Sequence, residues 1–76
     1  MLKITFSLHA RERLKSRGIP EREVIHTICE PDKESGSFRS RQLYQRNYRG
    51  KILEAVTKEE KNEIIVITAY YLGEKK

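Results

Sequence analysis

The residues best suited to chemistry are His9, Arg13 and Arg17, which follow one another at four-residue intervals. On a helix this spacing puts three side chains along one face, one turn apart. An imidazole exchanges a proton near neutral pH, and a guanidinium can hold a phosphate through two parallel hydrogen bonds. Acid–base chemistry at a phosphate group needs a side chain that takes up and releases a proton and a cation for the developing negative charge. His9 and Arg13 are therefore candidate catalytic residues, and Arg17 is a candidate phosphate contact.

The helix that must position this row has clear signals at both ends. Ser7 can cap its start by accepting a hydrogen bond from a backbone N–H, and Gly18 suits the left-handed conformation that ends a helix. We therefore predict a short helix over about residues 8–17. Ala10 and Leu14 form a narrow apolar stripe beside the basic row, which places the row at the rim between core and solvent.

A second helix is predicted to begin at Pro20, because proline suits the first helical position. Its apolar stripe contains Val24, Ile25, Ile28 and Cys29. Pro31 stops this helix, because the residue before a proline is disfavoured in the helical conformation. On this interpretation Cys29 is a small buried hydrophobic residue. Residues 33–40, rich in Ser and Gly, predict a loop.

Four segments have the composition of strands: residues 2–6, 41–48, 51–58 and 63–72. Turns at Arg49-Gly50 and at residues 59–62 favour an antiparallel meander of the last three. Residues 64–70 are apolar on both faces and predict a central strand, with the first strand on its free side. The predicted fold is α+β, in the order β-α-α-β-β-β, with two helices on one face of a four-stranded, mainly antiparallel sheet.

The strands carry further candidates for contacts with phosphates or bases. Tyr44 and Arg46 on the first meander strand, and Tyr70 on the last, could supply phosphate contacts, a proton donor or a surface for stacking bases. Strand alternation puts Tyr44 and Arg46 on one face and Arg41 on the other. These side chains therefore cannot all serve one site on a flat sheet.

Composition narrows the class of protein. The chain has 76 residues, a formal net charge of +5 and one cysteine. The length predicts one domain over residues 1–76, and the charge favours polyanionic partners such as nucleic acid or an acidic protein. A lone cysteine excludes an internal disulfide, and neither a leader peptide nor an apolar run of ~18 residues is present, so we expect a soluble cytoplasmic protein without membrane contact. No zinc-ligand cluster, phosphate-binding glycine loop or acidic pair for Mg²⁺ is present, so we expect no metal and no cofactor.

Structural interpretations of the same residues stay open at this point. His9 could bond a backbone carbonyl at the rim of the core, and Arg13 could pair with an acidic residue such as Glu54. His26 lies on the polar side of the second helix and is interpreted as solvated. The tyrosines, Tyr70 included, are also typical sheet and core residues with a polar tip.

Several motifs in register resemble a small bacterial family of unknown function. They are Phe6-Ser-Leu-His-Ala-Arg-Glu-Arg13, Arg17-Gly-Ile-Pro-Glu-Arg-Glu-Val24, Pro31-Asp32, Arg41-x-x-Tyr44, Gly50-Lys51 and Val66-Ile-Thr-Ala-Tyr70. Members carry a His-Ala-x-x-Arg helix start and a Val-Ile-Thr-Ala-Tyr last strand. That family is in turn similar to the RelE and BrnT toxins of toxin–antitoxin systems, compact ribonucleases with helices on one side of an antiparallel sheet. The resemblance implies a RelE/BrnT-like domain that cleaves RNA, an RNA contact at Arg41 and an acidic antitoxin as partner.

Two functions from different classes follow. The first is a toxin-like, metal-independent endoribonuclease in which His9 and Arg13 perform the chemistry and an antitoxin covers the site. The second is a non-catalytic RNA- or protein-binding module of the same fold, for example a homodimer through the open sheet face. In the second function His9 and Arg13 are structural.

Overall fold

The structure, a computed structural model, describes residues 3–36, 40–48 and 50–72. In chain order the elements are β1 (Lys3–Phe6), α1 (Leu8–Arg17), α2 (Glu21–Cys29), β2 (Lys33–Gly36), β3 (Gln42–Tyr48), β4 (Lys51–Glu60) and β5 (Glu63–Leu72). The strands form one mixed sheet in the order β1-β5-β4-β3-β2, in which β1 runs parallel to β5 and the other pairs are antiparallel. The α+β class, the two helices and the position of the first strand beside the last are confirmed.

Within the described residues the sheet has five strands, so the prediction of four strands is wrong. β2 lies within the predicted loop and pairs antiparallel with β3, from Lys33 opposite Gln45 to Gly36 opposite Gln42. All four of its residues are exposed. Because β2 is an edge strand held by its backbone pairing, it needs no apolar alternation, and the sequence therefore carries no strand pattern there. Residues 37–39 of the predicted loop lie outside the described residues.

Both ends of α1 have the predicted caps. The backbone N–H of Ala10 donates a 3.0 Å hydrogen bond to Ser7 Oγ, which satisfies one of the donors left free at a helix start. Gly18 ends the helix in the left-handed region, at φ 68°. α2 begins one residue later than predicted, because Pro20 is extended, with ψ 141°, and stands at the N-cap instead of the first helical position.

The buried face of α2 is narrower than the sequence pattern suggests. Val24, Thr27 and Ile28 are buried, and the Thr27 hydroxyl donates a 2.8 Å hydrogen bond to the Glu23 carbonyl, which satisfies it inside the core. Ile25 is 38% exposed and Cys29 is exposed as well. The prediction of a buried Cys29 is therefore wrong, because the helix is rotated so that Thr27, not Cys29, faces the sheet.

A β-bulge interrupts the pairing of β4 with β5. Thr57 lies opposite Val66, but the residue before it, Val56, lies opposite Thr68, so Ile67 has no partner on β4. Before the bulge, even-numbered residues of β5 such as Val66 face the core. After it, odd-numbered residues face the core, and Tyr70 points to the opposite face of the sheet.

The core lies between the two helices and one face of the sheet. Its buried apolar residues are Ala10, Leu14, Ile19, Val24, Ile28, Leu53, Ala55, Ile64, Val66 and Ala69. α1 packs on β5, and α2 packs on β3 and β4. Neither of the helices found in the described ranges is long and apolar enough to cross a membrane.

Candidate nucleic-acid interface

The flank of α1 that carries His9 and Arg13 faces solvent. Both residues are exposed, and neither forms a hydrogen bond or an ion pair with any other described residue. Their four-residue spacing on a continuous helix puts them one turn apart on the same side. The structural interpretations, a carbonyl bond for His9 and a pairing of Arg13 with Glu54, are therefore not observed. Both side chains are accessible to a ligand.

Arg17 continues this row and joins the end of α1 to the edge of β5. Its Nη1 donates hydrogen bonds of 3.2 Å to Thr68 Oγ1 and 2.8 Å to the Ala69 carbonyl. Among the described residues β1 pairs with β5 only as far as Val66, and Arg17 contacts this edge of β5 just beyond that point. The Arg17 Cζ is also 6.0 Å from the centre of the Tyr70 ring, within the range of a cation–π contact. The structure thus brings together two of the predicted RNA contacts.

The Tyr70 hydroxyl belongs to a polar row that crosses three strands on the face without helices. Gln45, Glu54 and Tyr70 lie side by side in register on β3, β4 and β5. Gln45 Nε2 donates to Glu54 Oε1 at 2.6 Å, and the Tyr70 hydroxyl donates to Glu54 Oε2 at 2.7 Å. Glu54 is only 7% exposed, so the two donors replace the water that its carboxylate has lost.

This environment raises the pKa of Tyr70 to about 12. Burial is the largest cause, followed by the hydrogen bond to Glu54 and the charge of Glu54, while Arg17 acts in the opposite direction. The phenol therefore stays protonated at neutral pH. Tyr70 is suited to binding through its ring, and its hydroxyl is already donated to Glu54.

A shallow depression of about 300 Å³ lies at the junction of α1 and β5, lined by Arg17, Ile19, Tyr70 and Tyr71. It combines a guanidinium with two phenol rings. Such a combination suits a nucleotide, since the cation can contact a phosphate and a ring can stack on a base.

Tyr44 and Arg46 share one face of β3, as predicted, but this is the face under the helices. Tyr44 packs against the core, and burial, followed by the charges of Glu34 and Glu59, raises its pKa. Arg46 Nη1 donates to the Glu30 carbonyl at the end of α2 and lies 3.9 Å from Asp32 Oδ1. Neither side chain contacts Arg17 or Tyr70 within the part of the chain that the structure describes.

Arg41 stands just before β3 and is half-buried. Of the seven residues predicted for the site, four lie along α1 and the adjoining part of β5 and form the candidate interface: His9, Arg13, Arg17 and Tyr70. Sequence reasoning missed Gln45, Glu54 and Tyr71. The turn at Gly50 fixes which residues of β3 and β4 face each other, so the pair of Gln45 with Glu54 could have been found from it.

Across the described ranges, no group of three or more His, Cys, Asp or Glu is placed to hold a metal ion.

Comparison with known proteins identifies one family. Residues 6–71 match the family model described as Domain of unknown function (DUF4258). The match covers His9, Arg13, Arg17, Tyr70 and Tyr71. No curated protein and no solved structure shows significant similarity to the chain.

Proposed function

The chain belongs to the DUF4258 family, a domain of unknown function, and we propose that it is a metal-independent endoribonuclease of the toxin type. The observation that carries this proposal is the exposed flank of α1. His9 and Arg13 lie one turn apart and have no partner among the described residues, so both can contact a phosphodiester at the same time. Arg17 extends the cationic row to Tyr70, and the net charge of +5 favours a polyanion.

The residues present suit cleavage by transesterification. His9 takes the proton of the ribose 2′-hydroxyl, and the 2′-oxygen attacks the neighbouring phosphorus while the bond to the 5′-oxygen breaks. Arg13 binds the non-bridging oxygens as negative charge builds up on them. The 5′-oxygen leaves with a proton from water or from the imidazolium formed in the first step. The products are a 2′,3′-cyclic phosphate and a 5′-hydroxyl.

A likeness to the RelE and BrnT toxins is part of this proposal. Two helices on one face of a largely antiparallel sheet are compatible with that architecture, although architecture by itself does not determine activity. An acidic antitoxin is the matching partner, because acidic side chains would neutralise the basic flank of α1 and exclude RNA from it. Such a toxin would act on RNA in the cytoplasm.

One observation favours a second candidate, an RNA-binding module without catalysis. The hydroxyl of Tyr70 is donated to Glu54, and its pKa of about 12 makes it a poor proton donor near neutral pH. Arg17 is bonded to β5. The imidazole of His9 is then the one group of the candidate site suited to acid–base chemistry. In this second candidate function, His9 and Arg13 bind phosphates.

Labelled RNA incubated with the purified protein in EDTA separates the two candidates. We expect wild type to leave 2′,3′-cyclic phosphate ends, and His9→Ala and Arg13→Ala to lower the rate by about 100-fold or more. Because both residues are exposed, neither change should alter the melting temperature. Lys15→Ala is the matched control, since it removes one positive charge from the opposite side of the same helix.

Salt-dependent RNA binding without cleavage, either in buffer or in a translating extract, would establish the second candidate instead. Equal cleavage by wild type and both variants would refute the assignment of the site to α1. The translating extract is included because a toxin of this type could require a ribosome to present the RNA.

A further inference from the structure

A second depression meets the first at Tyr71. It has a volume of about 440 Å³ and is lined by Glu23, Tyr48, Lys51 and Tyr71. The first depression, with Arg17 and Tyr70, shares Tyr71 as its boundary. Both depressions adjoin Tyr71, so together they extend from the end of α1, past the end of β5, to the start of β4.

The Tyr71 ring is held in place from two sides. Its hydroxyl donates a 3.2 Å hydrogen bond to Glu23 Oε1, and its ring packs against the core. The Tyr48 hydroxyl donates to the Glu23 backbone carbonyl at 3.1 Å, which fixes the same part of α2 to the sheet. A ring fixed in this way loses little conformational entropy when a ligand stacks on it.

Lys51 places a cation beside this ring. Its Nζ is 5.3 Å from the centre of the Tyr71 ring, and the residue is exposed. A planar base can take the place of the ammonium on the ring, and the long side chain then reaches the phosphate of the same nucleotide. The Glu23 carboxylate would repel a phosphate beside it, so a nucleotide bound here would place its base toward Glu23 and its phosphate toward Lys51.

We propose that Tyr71 and Lys51 form a subsite for one unpaired base of an RNA strand, and that this subsite makes the domain selective for single-stranded RNA. The inference rests on the proposed function, because it assumes that RNA lies along the flank of α1. Bases inside a duplex are stacked on each other and cannot reach a protein ring, whereas unpaired bases can be turned outward onto one. The cationic row on α1 binds phosphates of either form of RNA, so selectivity arises at Tyr71.

Binding measurements with 2′-O-methyl RNA test this subsite without cleavage, because the nucleophile is blocked. The probes are a single-stranded oligonucleotide and a duplex of the same length. We expect wild type to prefer the single strand and Tyr71→Leu to bind it about tenfold more weakly, with duplex binding unchanged. Tyr71→Phe keeps the ring and should bind the single strand almost as wild type does.

Lys51→Ala provides a second variant that does not depend on the core, since Tyr71→Leu could reduce folding. We expect Lys51→Ala to weaken binding of the single strand more than the charge-matched Lys15→Ala does. Melting temperatures of all variants confirm that folded proteins are compared.

The outcomes separate the two proposals. If wild type binds neither RNA, both the proposed function and this subsite are rejected. If wild type binds RNA and depends on Arg13, but binds duplex as tightly as single strand, the subsite alone is rejected. The same conclusion follows if folded Tyr71→Leu and Lys51→Ala both bind as wild type does.

Discussion

The Tyr70 hydroxyl donates a 2.7 Å hydrogen bond to Glu54 Oε2, from one strand to the neighbouring strand on the sheet face without helices. Gln45 donates to the other carboxylate oxygen from the opposite side. A carboxylate that is only 7% exposed thus has a donor on each oxygen. This row joins β3, β4 and β5 independently of the apolar core.

Glu54→Ala should lower the free energy of unfolding by about 2 to 3 kcal/mol, because it leaves two donors without their charged acceptor. Glu54→Gln should cost less, since its amide oxygen can still accept from Tyr70 while its amide nitrogen opposes that of Gln45. Urea unfolding measures both changes. Glu12→Ala, an exposed carboxylate on α1, is the control and should change stability by no more than about 0.5 kcal/mol.

Because the pKa of Tyr70 is raised, we expect the folded protein to lose stability at alkaline pH. Its pKa is raised from 10.0 to about 12 in the folded protein, so the folded state holds the phenolic proton more tightly than the unfolded state does. The stabilisation is complete below pH 10 and is lost as the pH rises toward about 12. Tyr70→Phe should remove this part of the pH dependence and the highest step in the absorbance titration of phenolate. A titration of Tyr70→Phe that keeps the highest step and loses a lower one would show that Tyr70 is not the tyrosine with the highest pKa.

Arg17 should stabilise the contact between α1 and β5. Arg17→Ala removes the hydrogen bonds to Thr68 and Ala69 and is expected to cost about 1 to 2 kcal/mol. Amide hydrogen exchange should speed up at the end of α1 and in the second half of β5 more than in α2. Lys15→Ala, on the far side of the same helix, serves as the comparison, and equal effects of the two changes would contradict this role.

Cys29 should react in the native protein. Because it is exposed at the end of α2, a thiol reagent such as maleimide should modify it without prior unfolding. The modified protein should keep its melting temperature, since no core packing is lost. A reaction rate that rises only in denaturant would indicate that Cys29 is buried in solution.

Local sequence rules were sufficient to predict the bounds of an element where a single residue determines the backbone conformation at its end. Ser7 and Gly18 predict both ends of α1, and the turns predict the strands β3 to β5 to within two residues. The position of β1 beside β5 also follows, because a strand that is apolar on both faces needs a neighbour on each side.

The contact of Tyr70 with Glu54 on the open sheet face could not be predicted in the same way. Continued without a break, the register set by Glu60 opposite Glu63 would place Glu54 opposite Ala69. The bulge at Ile67 shifts the register by one residue and brings Tyr70 to Glu54. No local pattern in the sequence indicates that bulge, because Ile67 lies in a continuous apolar run. β2 was missed for a different reason, since its pairing depends on backbone groups that every sequence has.

The bulge also means that β5 is one residue longer than its pairing with β4 requires. Removing Ile67 would leave Thr57 opposite Val66 and Val56 opposite Thr68, with every side chain still on its present face. β5 can therefore lose one residue at this position, and its core-facing side chains would still face the core. The local twist that the bulge adds would be given up, but Tyr70 would stay beside Glu54 and Tyr71 beside the core.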